Sequence, residues 1–473
     1  MKKLYTLGLA ALMATAAANA GEPVATVIEG GMPYQGFMPV DISSNGKYVS
    51  GSCFLWPMFT SIWQEQKTKV YLEDDGSVFE NYGAVLGGIN DQGIAAGYDD
   101  LGAVIVNANT FEVKTIDLYD DEANIRSGFF NDINNDPDLQ IVVGMAYTLR
   151  PTDQYRDYPQ TNMRNITTQA AYWENGKGHL LPMPTVKEFN NGVDSIYFKG
   201  SQALAVSDDG GVILGFIDDR MFTKVMCYWT RNEQGTYDFH DTYKTFWSDI
   251  RDKNQKPYSV FRGDALSADG RLISLFLNPN ITGTGGNYIN QIGIFDVETG
   301  EIIKIVTSDG TNNIPPNSKL DVYYHGIADN GTIAGNTYTY DGCYSPFILH
   351  FDDDQPTLFY EAFPTVDLFA DMYEAENGGD NKVSAITPDG RYITGCGWMV
   401  DKRYGIGYYV GYVLDTDSSD NSKPDNGVDA IGTDSDAVPV EYYNVAGQRL
   451  SAPASGLNIV RYSDGTSRKV IVK

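Results

Sequence analysis

A short pattern of apolar and polar positions recurs along the chain. It is an aliphatic residue, two small or polar residues, Asp or Asn, then Gly, followed by a β-rich run that usually ends in a second Gly. The copies read Ile42-Ser43-Ser44-Asn45-Gly46, Ile89-Asn90-Asp91-Gln92-Gly93 and Ile133-Asn134-Asn135-Asp136-Pro137. They continue as Val206-Ser207-Asp208-Asp209-Gly210, Leu266-Ser267-Ala268-Asp269-Gly270, Ile327-Ala328-Asp329-Asn330-Gly331 and Ile386-Thr387-Pro388-Asp389-Gly390. Asp-Gly or Asn-Gly between such runs supplies the positive φ of a tight hairpin turn. The small polar residue two places earlier can bond the turn backbone. Runs such as Arg391-Tyr392-Ile393-Thr394 alternate as a half-buried strand does. A second hairpin follows each copy, as at Ala171-Tyr172-Trp173-Glu174-Asn175-Gly176, Cys227-Tyr228-Trp229 and Gly293-Ile294-Phe295-Asp296. Ser61-Ile62-Trp63 and Pro346-Phe347-Ile348-Leu349 occupy the same place. Two hairpins make four strands, and a lone small sheet cannot bury its faces, so the units must stack.

The turn positions 46, 93, 137, 210, 270, 331 and 390 step by a mean of about 57 residues, (390 − 46)/6. Seven units of four strands predict an all-β fold, a seven-bladed β-propeller over residues 21–414. An open β-solenoid is the competing architecture, although its repeats are shorter and its ends need caps. The longest gap, Pro137 to Gly210, places an insertion at Pro151–Thr168. After the seventh copy one good strand remains, Tyr408–Leu414. The segment Pro23–Ile28 has no other partner, so it is expected to complete the last unit and leave no open edge. If each motif begins an innermost strand, the residues just before it line the axial mouth. These are Gln202, Arg262, Asp264, Tyr323, His325, Lys382 and Ser384, with Met38, Val85 and Phe129 in the early units.

The copies resemble HAF-type extracellular repeats and, more loosely, the Ser-Pro-Asp-Gly repeats of TolB-like propellers. Ile386–Gly395 and Leu266–Ser274 carry the likeness, which spans roughly residues 35–414. It implies a blade and no particular activity.

The ends of the chain change the picture. Lys2, Lys3, the apolar run Leu7–Ala18 and Ala18-Asn19-Ala20 read as a secretory signal peptide over residues 1–20, too short to span a membrane. The expected location is extracellular or on the cell surface, with the periplasm as alternative. Residues 415–437 are Asp, Ser and Gly with little to bury, a flexible acidic linker. Residues 438–473 read as a small C-terminal β module, with strands at Val440–Val445, Leu457–Tyr462 and Arg468–Val472. Charge inverts there, with five Lys or Arg against two acids. Tyr443–Arg449, Gly456–Arg461 and Lys469–Lys473 resemble the end of the C-terminal sorting domains of Bacteroidetes type IX secretion cargo. That resemblance implies passage across the outer membrane, although the early Pro-Asn-Pro strand is missing. A small β cap is the plainer alternative.

Composition narrows the chemistry. A formal net charge of −28 opposes nucleic acid as a partner. Cys53, Cys227, Cys343 and Cys396 lack zinc-site spacing, and free or buried thiols are the plain reading. A closing Cys53–Cys396 disulfide is the alternative, with the two one residue out of register. His179, His240, His325 and His350 are dispersed, and no hydrolase or phosphate-binding motif is present. No catalytic residue, metal or cofactor is therefore expected. Trp63, Trp173 and Trp229 share one place in their hairpins and belong to the core. Trp56, Trp247 and Trp398 fall outside it, and Trp398 joins the candidate ligand-binding residues as a platform for a sugar ring or a peptide. The expected function is a non-enzymatic, exported binding or surface protein with a glycan or protein ligand. A propeller polysaccharide hydrolase or lyase, which would need a positioned carboxylate pair, and a structural envelope component are the alternatives. The oligomeric state is open.

Overall fold

The side chains of each motif copy hold its turn. The hydroxyls of Ser43, Ser207, Ser267 and Thr387 donate to Oδ1 of Asn45, Asp209, Asp269 and Asp389 at 2.6–2.9 Å. Each hydroxyl also accepts the amide that opens the next strand, from Tyr48, Val212, Leu272 and Tyr392. Oδ1 in turn accepts the amide just past the glycine, from Lys47, Gly211, Arg271 and Arg391. The glycines sit at φ 71° to 77°, which only Gly adopts at no steric cost. Pro137 replaces this glycine in the third copy. There the loop is longer, and Asn134 Oδ1 accepts the Ile141 amide at 2.7 Å.

The computed structural model describes residues 22–28, 36–54, 59–64, 67–70, 85–99, 102–110, 112–149, 166–183, 200–218, 224–240, 259–278, 291–316, 318, 320, 326–374, 381–401, 406–417, 439–444, 449–450, 456–462 and 467–472. They fall in two compact units, residues 1–420 and 421–473.

Among the described residues the first unit is all-β apart from two short helices, and within each set of strands chain neighbours pair antiparallel. Four-stranded sheets cover residues 36–70, 85–116 and 259–306. Residues 125–180 and 200–240 form two further sets of four strands, joined into one sheet by a single parallel bridge, Thr168 to Gly200. The sheet at 333–358 has three strands, and the bridge Ile327–Ile333 stands at its inner edge. The last sheet runs Lys382–Ile386, Tyr392–Asp401, Ile406–Asp415 and then Val24–Ile28. The N-terminal strand thus completes the final sheet, with Thr26 opposite Val413.

The motif ends the first strand of its sheet and does not begin it. Gly36–Ile42 stops at the first copy, Gly200–Val206 at the fourth and Lys382–Ile386 at the seventh. This corrects the placement of the described candidates on these strands: Gln202, Arg262, Asp264, Lys382 and Ser384 lie within the first strands, not ahead of them. The insertion also begins to pair sooner than expected, since Ile166–Thr168 already form strand opposite Leu149–Tyr147.

Packing follows the repeat. Trp63, Trp173 and Trp229 are all buried, as their shared position predicts. The two helices Phe359–Ala362 and Asp367–Glu374 follow the two-residue strand Thr357–Leu358. Their Phe359, Phe369 and Met372, with Phe363 between the two helices, fill the space beside Ala334, Ile348, Val410 and Tyr412 of the last two sheets. An apolar wedge therefore substitutes for a longer outer strand. Among the described residues no helix is long and apolar enough to cross a membrane. Cys227 and Cys396 are buried and Cys343 half-buried, while the Cys53 side chain lies outside the described residues.

The second unit is a four-stranded antiparallel sheet. Its order is Arg449–Leu450, Pro439–Asn444, Gly456–Tyr462, Ser467–Val472.

Candidate functional site

The seven motif turns converge at one end of the first unit. Their leading aliphatics, Ile42, Ile89, Ile133, Val206, Leu266, Ile327 and Ile386, line one small cavity with Asp41, Asp132, Asp208, Ser44 and Asn135. Its volume is about 70 Å³. Each aliphatic is 3–8% exposed, so together they form an apolar collar.

A chain of amides links the turns. Asn45 donates to Asp91 Oδ1 at 2.8 Å and Asp91 to Asn135 Oδ1 at 2.8 Å. Asn135 donates to the Asp208 carbonyl and Asp208 to the Ala268 carbonyl. Asp269 donates to Asp329 Oδ1 at 3.0 Å, and Asp329 to the Pro388 carbonyl. Two strand carboxylates repeat the device: Asp41 accepts the Ile89 amide and Asp132 the Val206 amide, each at 2.9 Å. The link from last sheet to first is Ser384 Oγ, which donates to the Pro39 carbonyl at 2.7 Å.

Asp208 stands out electrostatically. Its Oδ2 accepts from Ser44 Oγ at 2.8 Å and from Asn135 Nδ2 at 3.4 Å. Burial pushes its carboxyl up to about 6, the Asp91 and Asp329 carboxylates add to that, and the two hydrogen bonds oppose it. Asp329 is also raised by burial. Among the described residues no group of three or more His, Cys, Asp or Glu is placed to hold a metal ion.

The opposite end is built differently. Motif turns take five residues, as at 43–47, 207–211, 267–271 and 387–391. At the far end, 16 residues separate Leu149 from Ile166, 19 separate Leu180 from Gly200, and 18 separate His240 from Ser259. Exposed apolar side chains gather there: Val85, Tyr98, Tyr119, Leu149, Tyr338 and Tyr340. Tyr338, at 50%, ends the strand Ile333–Tyr338, and Tyr340, at 57%, lies in the turn that follows it.

The sequence-derived candidates disperse. Gln202 and Lys382 are half-buried on first strands, and the Lys382 carbonyl accepts from the Tyr412 hydroxyl at 3.2 Å. Ser384 is buried, and its hydroxyl is taken up by the closing bond. The backbones of Arg262 and Asp264 lie on Ser259–Leu266, where a register shift falls between Gly263 and Ala265. Their side chains, and all of Tyr323, His325, Trp56 and Trp247, lie outside the described residues. Trp398 is half-buried, edge-on to Tyr409 at 5.0 Å, with its indole Nε1 buried and lacking a hydrogen-bond partner. Phe129 sits 5.0 Å from Tyr98, and Val85 is exposed.

Sequence reasoning missed the third motif position, where Asp91, Asn135, Asp208 and Asp329 carry the links between sheets. The signal was there: the turn's own bonds use positions two, four and five, so an acid at position three has another use. A second hollow, about 460 Å³, lies on the outer strands of the third and fourth sets and is lined by Tyr172, His179, Pro182 and Tyr237. Its rings serve the core, with Tyr172 stacked on His179 at 4.9 Å and edge-on to Tyr237 at 4.8 Å.

No protein-family model matches the sequence, and no curated protein matches it. Among solved structures, prolyl oligopeptidase B from Galerina marginata is similar with a TM-score of 0.45 and 10% identity, over 91% of this chain and 56% of that one. A structure from an analysis of two prolyl endopeptidases gives 0.43 and 10%, over 91% and 55%. TolB from Acinetobacter baumannii gives 0.29 and 13%, over 70% and 67%. The chain spans little more than half the length of the two peptidases. Such loose overlaps carry no functional argument, and the architecture rests on the strand pairing itself.

Proposed function

We propose that residues 21–414 form a seven-bladed β-propeller belonging to an exported, non-enzymatic binding protein, whose ligand face is the end opposite the motif turns. The observation that carries this reading is the asymmetry of the two ends. One end is tied by short turns and a chain of amide bonds. The other carries the long connections and the exposed Tyr98, Tyr119, Tyr338 and Tyr340. Loops on a rigid scaffold are where binding residues concentrate. Tyrosines are suited to recognition, since one ring offers apolar area and a hydroxyl. A glycan or a protein surface is the ligand of this reading. Gln202, Lys382 and Trp398 are its half-buried candidates, with Arg262, Asp264, Tyr323 and His325 beside them in sequence position. A leader at 1–20, an acidic tether at 415–437 and a C-terminal module at 438–473 that serves sorting or capping belong to the same reading.

The hydrolase alternative finds little support at the motif end. Asp208 and its acidic neighbours there surround about 70 Å³, against roughly 300–1,000 Å³ for ligand pockets. The test uses the mature chain on glycan arrays and on purified envelope polysaccharide and protein fractions. Binding should fall at least tenfold in a Tyr338→Ala, Tyr340→Ala, Trp398→Ala triple variant. It should persist in Glu298→Gln, an exposed change at the motif end. Equal loss in both variants, or binding by neither variant nor wild type, would sink the assignment of the face.

A further inference from the structure

We propose that the turn after Ile333–Tyr338 is a receptor for an arginine side chain of a protein partner, built from the Tyr338 and Tyr340 rings and the Asp341 carboxylate. This rests on the reading of that end as the ligand face, and it chooses a protein over a glycan. The molecule uses the same chemistry three times on itself. Arg126 pairs with Asp121 at 2.6 Å and lies 5.3 Å from the centre of the Tyr119 ring. Arg231 pairs with Glu174 at 3.1 Å and lies 5.8 Å from Tyr237. Arg391 pairs with Asp415 at 2.9 Å and lies 4.9 Å from Tyr392. In each, a ring meets a planar, weakly hydrated cation while a carboxylate takes its N–H groups.

Ring and carboxylate recur at Tyr340-Asp341, with no base in the surrounding segments. Alternation turns Thr339 inward, at 3% exposed, and leaves Tyr338 and Tyr340 outward. Asp341, also exposed, follows directly. Its Oδ2 accepts from the Tyr373 hydroxyl at 2.7 Å. Asn313 Nδ2 donates to that hydroxyl at 2.8 Å and to the Tyr360 hydroxyl at 3.1 Å. The Tyr340 amide donates to the Asn313 carbonyl at 3.3 Å. The carboxylate and the adjoining ring are thus held in place before a ligand arrives, with Oδ1 left for it. The three segments that meet here, residues 309–316, 338–344 and 359–374, hold six Asp or Glu and no Lys, Arg or His. That field attracts a cation and repels an acidic glycan, and a neutral sugar gains nothing from it. Tyr and Arg are also the residues in which interface energy concentrates.

The probe is a fluorescein-labelled Gly-Arg-Gly-Arg-Gly peptide, beside a citrulline counterpart that keeps the planar shape and loses the charge. Anisotropy with the mature chain at low ionic strength should show the arginine peptide bound, and the citrulline peptide bound about tenfold more weakly. Asp341→Asn, which keeps an acceptor for Tyr373, and Tyr340→Ala should each cost about fivefold, while Tyr340→Phe, which keeps the ring, should stay within about twofold of wild type. Glu298→Gln removes one exposed charge at the motif end and should change nothing, which separates the site from the general pull of a chain with net charge −28. Equal effects of Asp341→Asn and Glu298→Gln, an unmoved affinity in Tyr340→Ala, or equal binding of the two peptides overturns the proposal. Absence of arginine-peptide binding beside glycan binding that is lost in the Tyr338→Ala, Tyr340→Ala, Trp398→Ala variant also overturns it, while the assignment of the face stands.

Discussion

Replacing Ile28 by Ala probes ring closure at a single side chain. Ile28 ends the strand Val24–Ile28, which pairs with Gly411–Asp415 of the last sheet. It is 1% exposed and packs with Phe37, Ile42, Val49 and Trp63 of the first sheet and Ala385 and Val413 of the last. One residue therefore touches both sides of the seam. The change removes three carbons, worth roughly 2.4 kcal/mol of transfer free energy at about 0.8 kcal/mol each. The cavity left behind raises the expected loss to about 3–4 kcal/mol. Val27, the preceding residue, is 45% exposed on the opposite face, so Val27→Ala should change stability by less than about 0.5 kcal/mol. Urea unfolding of both variants, followed by tryptophan fluorescence, measures the difference as a shift in midpoint at constant slope. A loss below about 1 kcal/mol for Ile28→Ala, or equal losses for the two, would refute the seam.

Gly390 has φ +77° but open space around it, with no atom closer than 3.6 Å to an added Cβ, so Gly390→Ala should cost only the strain of a left-handed residue, about 1–2 kcal/mol. Gly87→Ala should cost more in the same unfolding assay, because its Cβ would lie 1.8 Å from the Asn131 carbonyl oxygen. Ser207→Ala removes the acceptor of the Val212 amide and the donor to Asp209; denaturation should show a loss of about 1–3 kcal/mol, and an unchanged midpoint would count against the turn network. Asp208→Asn should act with a pH-dependent sign. The carboxyl rises from its ordinary 3.8 to about 6 on folding, so the folded state holds the extra proton and wild-type stability falls as pH rises from about 4 to 6. At pH 7.5 the variant should therefore be more stable by up to about 3 kcal/mol, and near pH 3 the two should match; a variant less stable at pH 7.5 would reverse the argument.

The seven turns were legible in the chain because their chemistry is local. In four of them a hydroxyl, a carboxylate or amide and a glycine within five residues make every bond the turn needs, as at Ser267, Asp269 and Gly270. The closing strand was legible for a similar reason, since Pro23–Ile28 had one unfilled place to go. The direction of the repeat was not. Whether a motif opens or ends its strand depends on pairings such as Ile42 with Val49 and Gly36 with Phe54, which a turn signature leaves open. That ambiguity displaced the candidate site. The role of Ser384 was hidden in the same way, because its partner Pro39 lies 345 residues distant. The links at position three span 44 to 164 residues, and the helical wedge at Asp367–Glu374 exists because two sheets left room for Phe369 and Met372. Local hydrogen bonds are written in neighbouring residues. Contacts between sheets depend on which surfaces the closed chain brings together, and only the folded molecule decides that.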